Sequence, residues 1–254
     1  MTILASAAAV IRTLGADGGP VTVTDLVNRL GMPRANASRL LRAMREVGLL
    51  ETVGASKRYR PGLLLLEAAR AYVRSSSLIG RADEAVAAIS GRFGHTGYVS
   101  VREGRFVAAV SDHPGSHALR VASTIGKRLP AAATATGRSL LARLSDAELA
   151  ALYAEGLDPP SPRAPQTLAE LLDRLARVRR DGFAISEEEA LKGVCGIAAA
   201  VGDPSTGEVV ALGIVCPAAT TEPGERAAIG RALVEAAAAI GALTGDPFHR
   251  AKAA

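Results

Sequence analysis

One helix that the sequence predicts carries side chains suited to reading base edges in double-stranded DNA. On a helical wheel of residues 34–47, the apolar side chains gather on one side, which we expect to pack into a core. The polar residues on the other side are Asn36, Ser38, Arg39 and Arg42, with Arg34 in the first turn. Arginine pairs bidentately with guanine and asparagine with adenine in the major groove, and a helix N-terminus offers free N–H groups to a phosphate. These residue types predict contact with DNA; the alternative is an ordinary solvated basic face.

The elements that must position this helix follow a helix-turn-helix pattern. Thr24 is the predicted N-cap of a first helix, with Asp25 in its first turn, and we also count Thr24 among the DNA contacts. Gly31 ends that helix, and Pro33 opens the second one at a position where its missing N–H costs nothing. Gly48 then stops the second helix.

A basic hairpin completes a winged form of this motif. Two short strands are predicted around a turn at residues 54–56, and Lys57 and Arg58 beside it are suited to phosphate contacts that position the protein. The charge distribution agrees, since residues 1–77 hold 11 basic and 5 acidic side chains, whereas residues 78–254 hold 19 and 20. The helices, the glycine turn and the hairpin occur in this order, which favours DNA binding over an ordinary solvated basic face. Because the excess positive charge lies in residues 1–77, we expect this part of the chain to attract DNA phosphates.

Composition excludes several other classes of protein. A chain of 254 residues has room for one large or two modest domains, and no window approaches 18 uncharged apolar residues, so no membrane span is predicted. The N-terminus has no basic stretch before its apolar residues, which argues against a signal peptide and for the cytoplasm. The absence of Trp and an aromatic content of 3% argue against stacking on single-stranded nucleic acid. Cys195 and Cys216 lie in apolar, strand-like segments, and we expect two buried thiols.

The sequence predicts no cofactor, metal or catalytic residue. His113 and His117 are four residues apart, but Pro114 and Gly115 between them prevent a helix from aligning the two rings on a metal. For the acidic run at residues 187–189 we expect a solvated loop or a helix cap rather than acid–base chemistry. Glycine-rich phosphate loops and nucleophile elbows are absent from the sequence.

Strand and helix patterns alternate irregularly along the chain and predict an α+β fold with helices packed on an antiparallel sheet. The predicted organisation has a winged helix-turn-helix domain at residues 1–60, a linker helix at 61–77 and a ligand-binding domain at 78–249. After the linker, helices are predicted at residues 78–93, 131–144, 145–155, 167–181 and 223–244. Strands are predicted at residues 96–103, 105–112, 117–123, 194–202 and 208–216, and a short strand is predicted between the helix at 167–181 and a Glu-rich loop at 186–193. The tail after Asp246 is expected to fray.

Three strings in order resemble the IclR family of bacterial transcriptional regulators, and together they span both parts of the chain. The first is GMPRANASRLLRAMREVGLL followed by YRPG, the second is LRVASTIGKRLPAAATATGRSLLA, and the third is RRDGFAISEEEALKGVCGIAAAV. The resemblance implies an N-terminal winged helix-turn-helix, a linker helix and a C-terminal effector domain with a GAF-like fold. It also implies a homodimer or homotetramer that binds operator DNA and responds to a small-molecule effector.

By the same resemblance, the effector would bind between the sheet and the turn at residues 136–139. The positions that match the family's pocket are Val121, Leu129, Ala135, Thr136, Ser186, Gly196, Gly213 and Val215. The backbone N–H groups of Ala135 and Thr136 begin a helix, where a carboxylate would be favoured.

The sequence departs from the family's usual pattern at several of these places. Members that bind small oxoacids often carry Ser where this chain has Gly213 and Val215, and Arg138 and Ala200 replace the usual Lys and Pro. We therefore expect a roomier and less polar pocket. The corresponding hypothesis is an effector larger and more apolar than glyoxylate or pyruvate, such as an aromatic or branched acid.

Two other functions fit the sequence less well than a ligand-gated regulator. An enzyme with a helix-turn-helix as an interaction module would need a convergent set of catalytic groups, and the sequence offers none. A purely architectural DNA-binding protein would not need a separate, nearly neutral domain with a pocket-like motif. Repression or activation depends on where the operator lies.

Overall fold

The computed structural model describes residues 2–17, 19–117, 125 and 127–248. The chain divides into two compact units, residues 1–75 and residues 76–254. Each unit has its own buried apolar core.

The first unit begins with three helices, α1 (Ile3–Asp17), α2 (Val23–Leu30) and α3 (Arg34–Glu46). The N-cap of α2 is Thr22 rather than the predicted Thr24, because Thr22 and Asp25 form a capping box in which each side chain bonds to the other's backbone N–H. Hydrogen bonds from Thr22 to the Asp25 carboxylate hold the pKa of Asp25 below its usual value. Thr24 is an exposed residue within the first turn of α2.

The turn between α2 and α3 is close to the prediction. Gly31 has a φ of 63° in the left-handed region and caps the C-terminus of α2. Pro33 is the N-cap of α3 rather than its first residue. Apolar residues of all three helices meet in one core, which includes Val10, Leu26 and Leu41.

A two-stranded antiparallel hairpin and a helix complete this unit. The strands β1 (Leu50–Thr52) and β2 (Tyr59–Pro61) pair in register, with Glu51 opposite Arg60. Helix α4 (Leu63–Ser75) follows and has no buried residue. Pro61, which was expected to begin the linker helix, therefore belongs to the hairpin.

The second unit holds one six-stranded sheet and five helices among its described residues. The helices are α5 (Ser77–Phe93), α6 (Ala135–Leu141), α7 (Asp146–Leu152), α8 (Leu168–Asp181) and α9 (Pro223–Thr244). The strands are β3 (Thr96–Glu103), β4 (Phe106–His113), β5 (Arg128–Pro130), β6 (Ala184–Glu187), β7 (Val194–Asp203) and β8 (Glu208–Pro217). The strand predicted at residues 117–123 lies almost wholly outside the described residues, and part of the helix predicted at 131–144 is a 3-10 turn at Ala131–Ala133.

All neighbouring strands of the sheet are antiparallel, in the order β5-β4-β3-β8-β7-β6. Strands β3 and β8 are adjacent although more than a hundred residues separate them along the chain. This long-range pairing brings the two predicted strand hairpins, 96–113 and 194–217, into a single sheet. One end of that sheet can therefore bring together residues of the second and third strings that resemble the family.

Helix α9 is long and apolar enough to cross a membrane by length and composition. It instead packs against β7 and α5 within the second unit, and seven of its residues are buried. We interpret α9 as a core helix of this unit. The chain after it does not fray at once, since Asp246 is fully buried and Phe248 packs on the core under the Arg143 guanidinium.

Candidate DNA-binding surface and effector cavity

Helix α3 presents its predicted contact residues away from the core of the first unit. Arg34, Asn36, Arg39 and Arg42 are exposed, and Ser38 is half-buried. On the opposite face, Ala37, Leu40, Leu41 and Met44 are buried. The polar face of α3 is therefore accessible to the major groove of DNA.

Two of these side chains are already held together. The Arg39 guanidinium donates a hydrogen bond to the Asn36 side-chain oxygen at 2.8 Å. This bond spans one turn of α3 and restricts the rotamers of both side chains, which lowers the entropic cost of ordering them on a base pair.

The hairpin carries a second cluster of exposed basic residues. Lys57 and Arg58 are both exposed beside the turn, where the backbone amide of Val53 bonds to the Arg58 carbonyl at 3.0 Å. The isolated pairing of Val21 with Tyr59 ties β2 to the chain just before α2. The hairpin is thus fixed to the same unit that presents α3.

In the second unit, a cavity of about 80 Å³ lies between the sheet and the start of α6. The predicted residues that line it are Leu129, Ala135, Thr136, Ser186, Gly196 and Val215. They come from β5, α6, β6, β7 and β8, and the antiparallel register sets Gly196 opposite both Ser186 and Val215. Val121, the seventh, lies outside the described residues.

Gly213 does not line this cavity. A Cβ at that position would lie 2.6 Å from the Thr136 Cγ2 atom, so the missing side chain makes room for Thr136 rather than for a ligand. The expectation that Gly213 widens the pocket is therefore wrong. Gly196 differs, because its Cβ would only touch the Ala135 Cβ at 3.4 Å and further atoms would enter the cavity.

The cavity also has polar walls that the sequence interpretation missed. Lys127 lies on the wall with an exposed side chain, and the wall also includes Tyr98 and Ser100 of β3. Hydroxyl groups come in addition from Thr134, Thr136 and Ser186, of which Ser186 donates to the Ala133 carbonyl at 2.8 Å. A lysine at the wall and several hydroxyl-bearing residues within an otherwise apolar lining are residue types suited to a small anion with an apolar body.

The acidic run at residues 187–189 is not a solvated loop throughout. Glu189 is buried, and its carboxylate bonds to the Arg138 guanidinium and pairs with Arg174 at 2.6 Å. Arg138 is itself only 2% exposed and also donates to the carbonyls of Ala132 and Ile185. Since the adjacent Ala190 and Leu191 line the cavity, this ion pair fixes one of its walls.

The two cysteines lie beside the cavity residues. Cys195 and Cys216 face each other across β7 and β8, one position from Gly196 and Val215, and both are buried free thiols. The hydrogen bond with Cys216 and burial raise the pKa of Cys195.

The histidines have other partners. His113 Nε2 lies 2.8 Å from the Asp83 carboxylate, and the His117 ring stacks on His95 at 4.5 Å. Within the described ranges, three or more His, Cys, Asp or Glu side chains do not come together in a way that could hold a metal ion.

Two family models match the chain. The IclR helix-turn-helix domain matches residues 4–54, and the C-terminal domain of bacterial IclR transcriptional regulators matches residues 70–242. Both families are of transcriptional regulators rather than enzymes.

Relatives match along most of their length. The chain is 29% identical over 228 residues to the HTH-type transcriptional regulator XynR of Escherichia coli. The aligned region covers 89% of this chain and 90% of XynR. The chain is 31% identical over 207 residues to the HTH-type transcriptional regulator TtgV of Pseudomonas putida, and the aligned region covers 77% of this chain and 74% of TtgV.

Solved structures share the fold of the whole chain. An IclR transcriptional regulator from Alicyclobacillus acidocaldarius has a TM-score of 0.84 at 23% identity, with coverage of 96% and 98%. An IclR homologue from Microbacterium hydrocarbonoxydans, solved in complex with 4-hydroxybenzoate, has a TM-score of 0.76 at 23% identity, with coverage of 99% and 100%. The predicted α+β fold, with an N-terminal winged helix-turn-helix and a C-terminal antiparallel sheet, is confirmed. The chain belongs to the IclR family of bacterial transcriptional regulators.

Proposed function

We propose that this regulator binds a specific operator through α3 and the hairpin, and that a small organic acid in the cavity of the second unit gates this binding. The observation that carries the proposal is the cavity itself, where six positions expected from the family come together with Lys127. An exposed basic helix face without such a cavity would fit an ungated DNA-binding protein equally well. In this mechanism Thr24, Arg34, Asn36, Ser38, Arg39 and Arg42, with Lys57 and Arg58, contact the DNA.

The walls indicate the class of effector. Leu129, Val215 and Leu191 supply apolar surface, whereas Lys127 and the first-turn amides of α6 supply groups for a carboxylate. The structural relative that holds 4-hydroxybenzoate supports an acid with an apolar body. A space of about 80 Å³ suits a branched short-chain acid, and a ring requires a wider space.

Calorimetric titration of the full chain with 4-hydroxybenzoate, 3-methyl-2-oxobutanoate and pyruvate tests this choice. We expect one of the two larger acids to bind more tightly than pyruvate. Tight binding of pyruvate alone would overturn the apolar-acid proposal and leave operator binding untouched.

We further propose that the protein acts in the cytoplasm as a homodimer or homotetramer and controls a catabolic operon. Helix α4 supports an oligomer, since Leu63 and Leu66 are 64% and 49% exposed and provide an apolar face for a second chain. An effector that changes how two copies pack would alter the spacing of two α3 helices relative to half-sites about one helical turn apart, or a multiple of it. Sedimentation of the protein with and without the acid tests the oligomeric part, and the genes beside this one test the operon.

Arg39→Ala should weaken binding to the operator more than binding to random DNA, by about 1–3 kcal/mol, because a lost base pairing costs specificity. A gel shift with upstream DNA over a salt series measures both affinities. Arg45→Ala is the matched control, since Arg45 is exposed in the last turn of α3 but is not among the predicted contacts. Equal losses on both DNAs would show that Arg39 touches only phosphate.

Gly196→Val should lower effector affinity at least about tenfold while leaving operator binding without effector unchanged, because the added methyl groups occupy the cavity. The measurement is calorimetry with the best acid, together with the concentration of acid that releases the operator. Gly91→Ala is the control, since a Cβ at Gly91 meets open space on α5. An unchanged effector affinity in Gly196→Val would place the effector elsewhere.

A further inference from the structure

Helix α3 holds a side-chain pair whose donors and acceptors limit which base it can read. The Nη2 group of the Arg39 guanidinium donates to the Asn36 side-chain oxygen at 2.8 Å, across one turn of the helix. Both side chains are exposed, so the bond does not serve to satisfy a buried polar group. Its effect is to fix the direction in which each side chain presents its remaining hydrogen-bonding groups.

The Asn36 side chain is poorly placed to read adenine. Asparagine recognises adenine with both ends of its amide, since the oxygen accepts from N6 and the nitrogen donates to N7. In α3 that oxygen already accepts from Arg39. An adenine amino group on the same oxygen would lie beside the guanidinium, and two donors would compete for one acceptor. Asn36 is left with its two amide N–H donors, which suit a phosphate oxygen.

The places of the two residues around α3 agree with this difference in role. The inner face of the helix is made of four buried side chains, Ala37, Leu40, Leu41 and Met44. At about 100° per residue, Arg39 lies about 150° from the centre of that face, whereas Asn36 lies about 90° from it. Arg39 therefore begins on the side of α3 that is turned away from the core, and Asn36 begins on its flank.

The Arg39 guanidinium keeps enough donors to read a base. A guanidinium has five N–H donors in a planar fork, and the bond to Asn36 uses one of them. Guanine offers two acceptors in the major groove, O6 and N7, whereas adenine offers N7 and an amino donor. The remaining donors of Arg39 therefore match guanine. Asn36 lies one turn nearer the N-terminus of α3, so the bond draws the guanidinium toward the end of a recognition helix that contacts base edges.

We propose that Arg39 reads a guanine of the operator, and that Asn36 is a positioning residue that orients the guanidinium and does not read adenine. This assignment rests on the operator binding proposed above for α3. It places a G·C pair in each half-site opposite Arg39, and Asn36 contributes to the recognition of that pair only through Arg39.

Selection of binding sites from a pool of randomised duplex DNA tests the assignment with the full chain and its variants. The natural protein should enrich sites with a guanine that Arg39→Ala no longer selects. Asn36→Ala should weaken the preference at that same position and change no adenine preference. Asn36→Asp keeps the acceptor oxygen but loses the amide donors and adds a negative charge. It should therefore bind all DNA more weakly and still prefer the guanine.

A double-mutant cycle on the selected site gives the size of the effect. We expect Arg39→Ala to lower the preference for guanine over adenine at that position about tenfold. In the Arg39→Ala background, Asn36→Ala should have no further effect on this preference, because its contribution passes through the guanidinium. Replacing the guanine by 7-deazaguanine removes the N7 acceptor, which should weaken binding of the natural protein but not that of Arg39→Ala.

The opposite results are equally specific. Loss of an adenine preference in both Asn36→Ala and Asn36→Asp would show that Asn36 reads a base itself. Additive losses in the double variant, or a base other than guanine at the position that depends on Arg39, would also overturn the assignment while leaving operator binding intact. If the natural protein enriches no sequence, the proposed operator binding fails and the assignment fails with it.

Discussion

Arg138→Met is expected to lower the free energy of unfolding of the second unit by about 3–5 kcal/mol, because it removes one partner of a buried ion pair. The guanidinium donates to the Glu189 carboxylate and to the Ala132 carbonyl at 3.1 Å, and both charged side chains are nearly inaccessible to water. Methionine fills a similar volume but leaves Glu189 with Arg174 as its remaining charged partner and leaves backbone carbonyls unpaired. Urea unfolding followed by circular dichroism measures the loss.

The same substitution should also weaken effector binding. Glu189 is held by Arg138 and by Ser161, whose hydroxyl donates to the Glu189 carbonyl at 2.7 Å, and the next residues form a wall of the effector cavity. Hydrogen exchange should therefore speed up at residues 184–191 and remain unchanged in α2 and α3.

Arg180→Met is the control for this prediction. Arg180 pairs with Asp181 on the surface, where both side chains are largely exposed, and such pairs contribute at most about 1 kcal/mol. If Arg138→Met costs no more than Arg180→Met, the buried pair is not what stabilises this wall.

Local patterns were enough to predict most elements of the fold. Apolar, strand-like segments located the strands at 96–103 and 208–217 to within a residue or two, and the helix predicted at 223–244 matches α9. These elements depend on residues close together in sequence, which a periodicity records. The cap of α2 could have been predicted as well, since Thr22 and Asp25 have the three-residue spacing of a capping box and Thr24 has no such partner.

The cavity depended on information that a single sequence does not contain. Tyr98 and Ser100 join its wall because β3 pairs with β8, and no local pattern specifies that pairing. Gly213 is a second residue whose role the sequence alone does not determine. A missing side chain can leave room either for a ligand or for a neighbouring side chain, and at Gly213 the room is taken by Thr136. The family resemblance identified the sequence positions near the cavity. The packing of side chains determines whether a given position contacts the cavity or a neighbouring residue.

The three glutamates at residues 187–189 have the same side chain but differ in burial and in their ion-pair partners. Glu187 pairs with Arg226 and Glu188 with Arg163 near the surface, whereas Glu189 turns inward to Arg138. Three adjacent carboxylates look alike as a charge run. The one buried carboxylate is distinguished by its partners Arg138 and Arg174, which no local pattern in the acidic run indicates.

Asp246→Asn is expected to destabilise the second unit by about 3 kcal/mol, because it breaks a second buried ion pair. Both Asp246 oxygens accept from the Arg143 guanidinium, at 2.7 and 2.8 Å, and the backbone amides of Gly202 and Phe248 add bonds at 2.7 and 3.1 Å. These bonds fix the end of α9 to the end of β7. An asparagine amide would turn donors toward the donors of Arg143 and would lose the charge.

The pH dependence of stability gives this prediction a second readout. Burial alone would raise the pKa of Asp246, but the bonds from Arg143, Gly202 and Phe248 outweigh it and hold the pKa below its ordinary value of 3.8. The stabilisation is therefore fully present above that ordinary value and is lost as the pH falls through the lower pKa of the folded state. The difference in unfolding free energy between the natural protein and Asp246→Asn should be constant near neutral pH and should shrink below about pH 4. Asp181→Asn, at an exposed pair, should show little difference at any pH, and a pH-independent gap for Asp246→Asn would mean that packing rather than charge explains the loss.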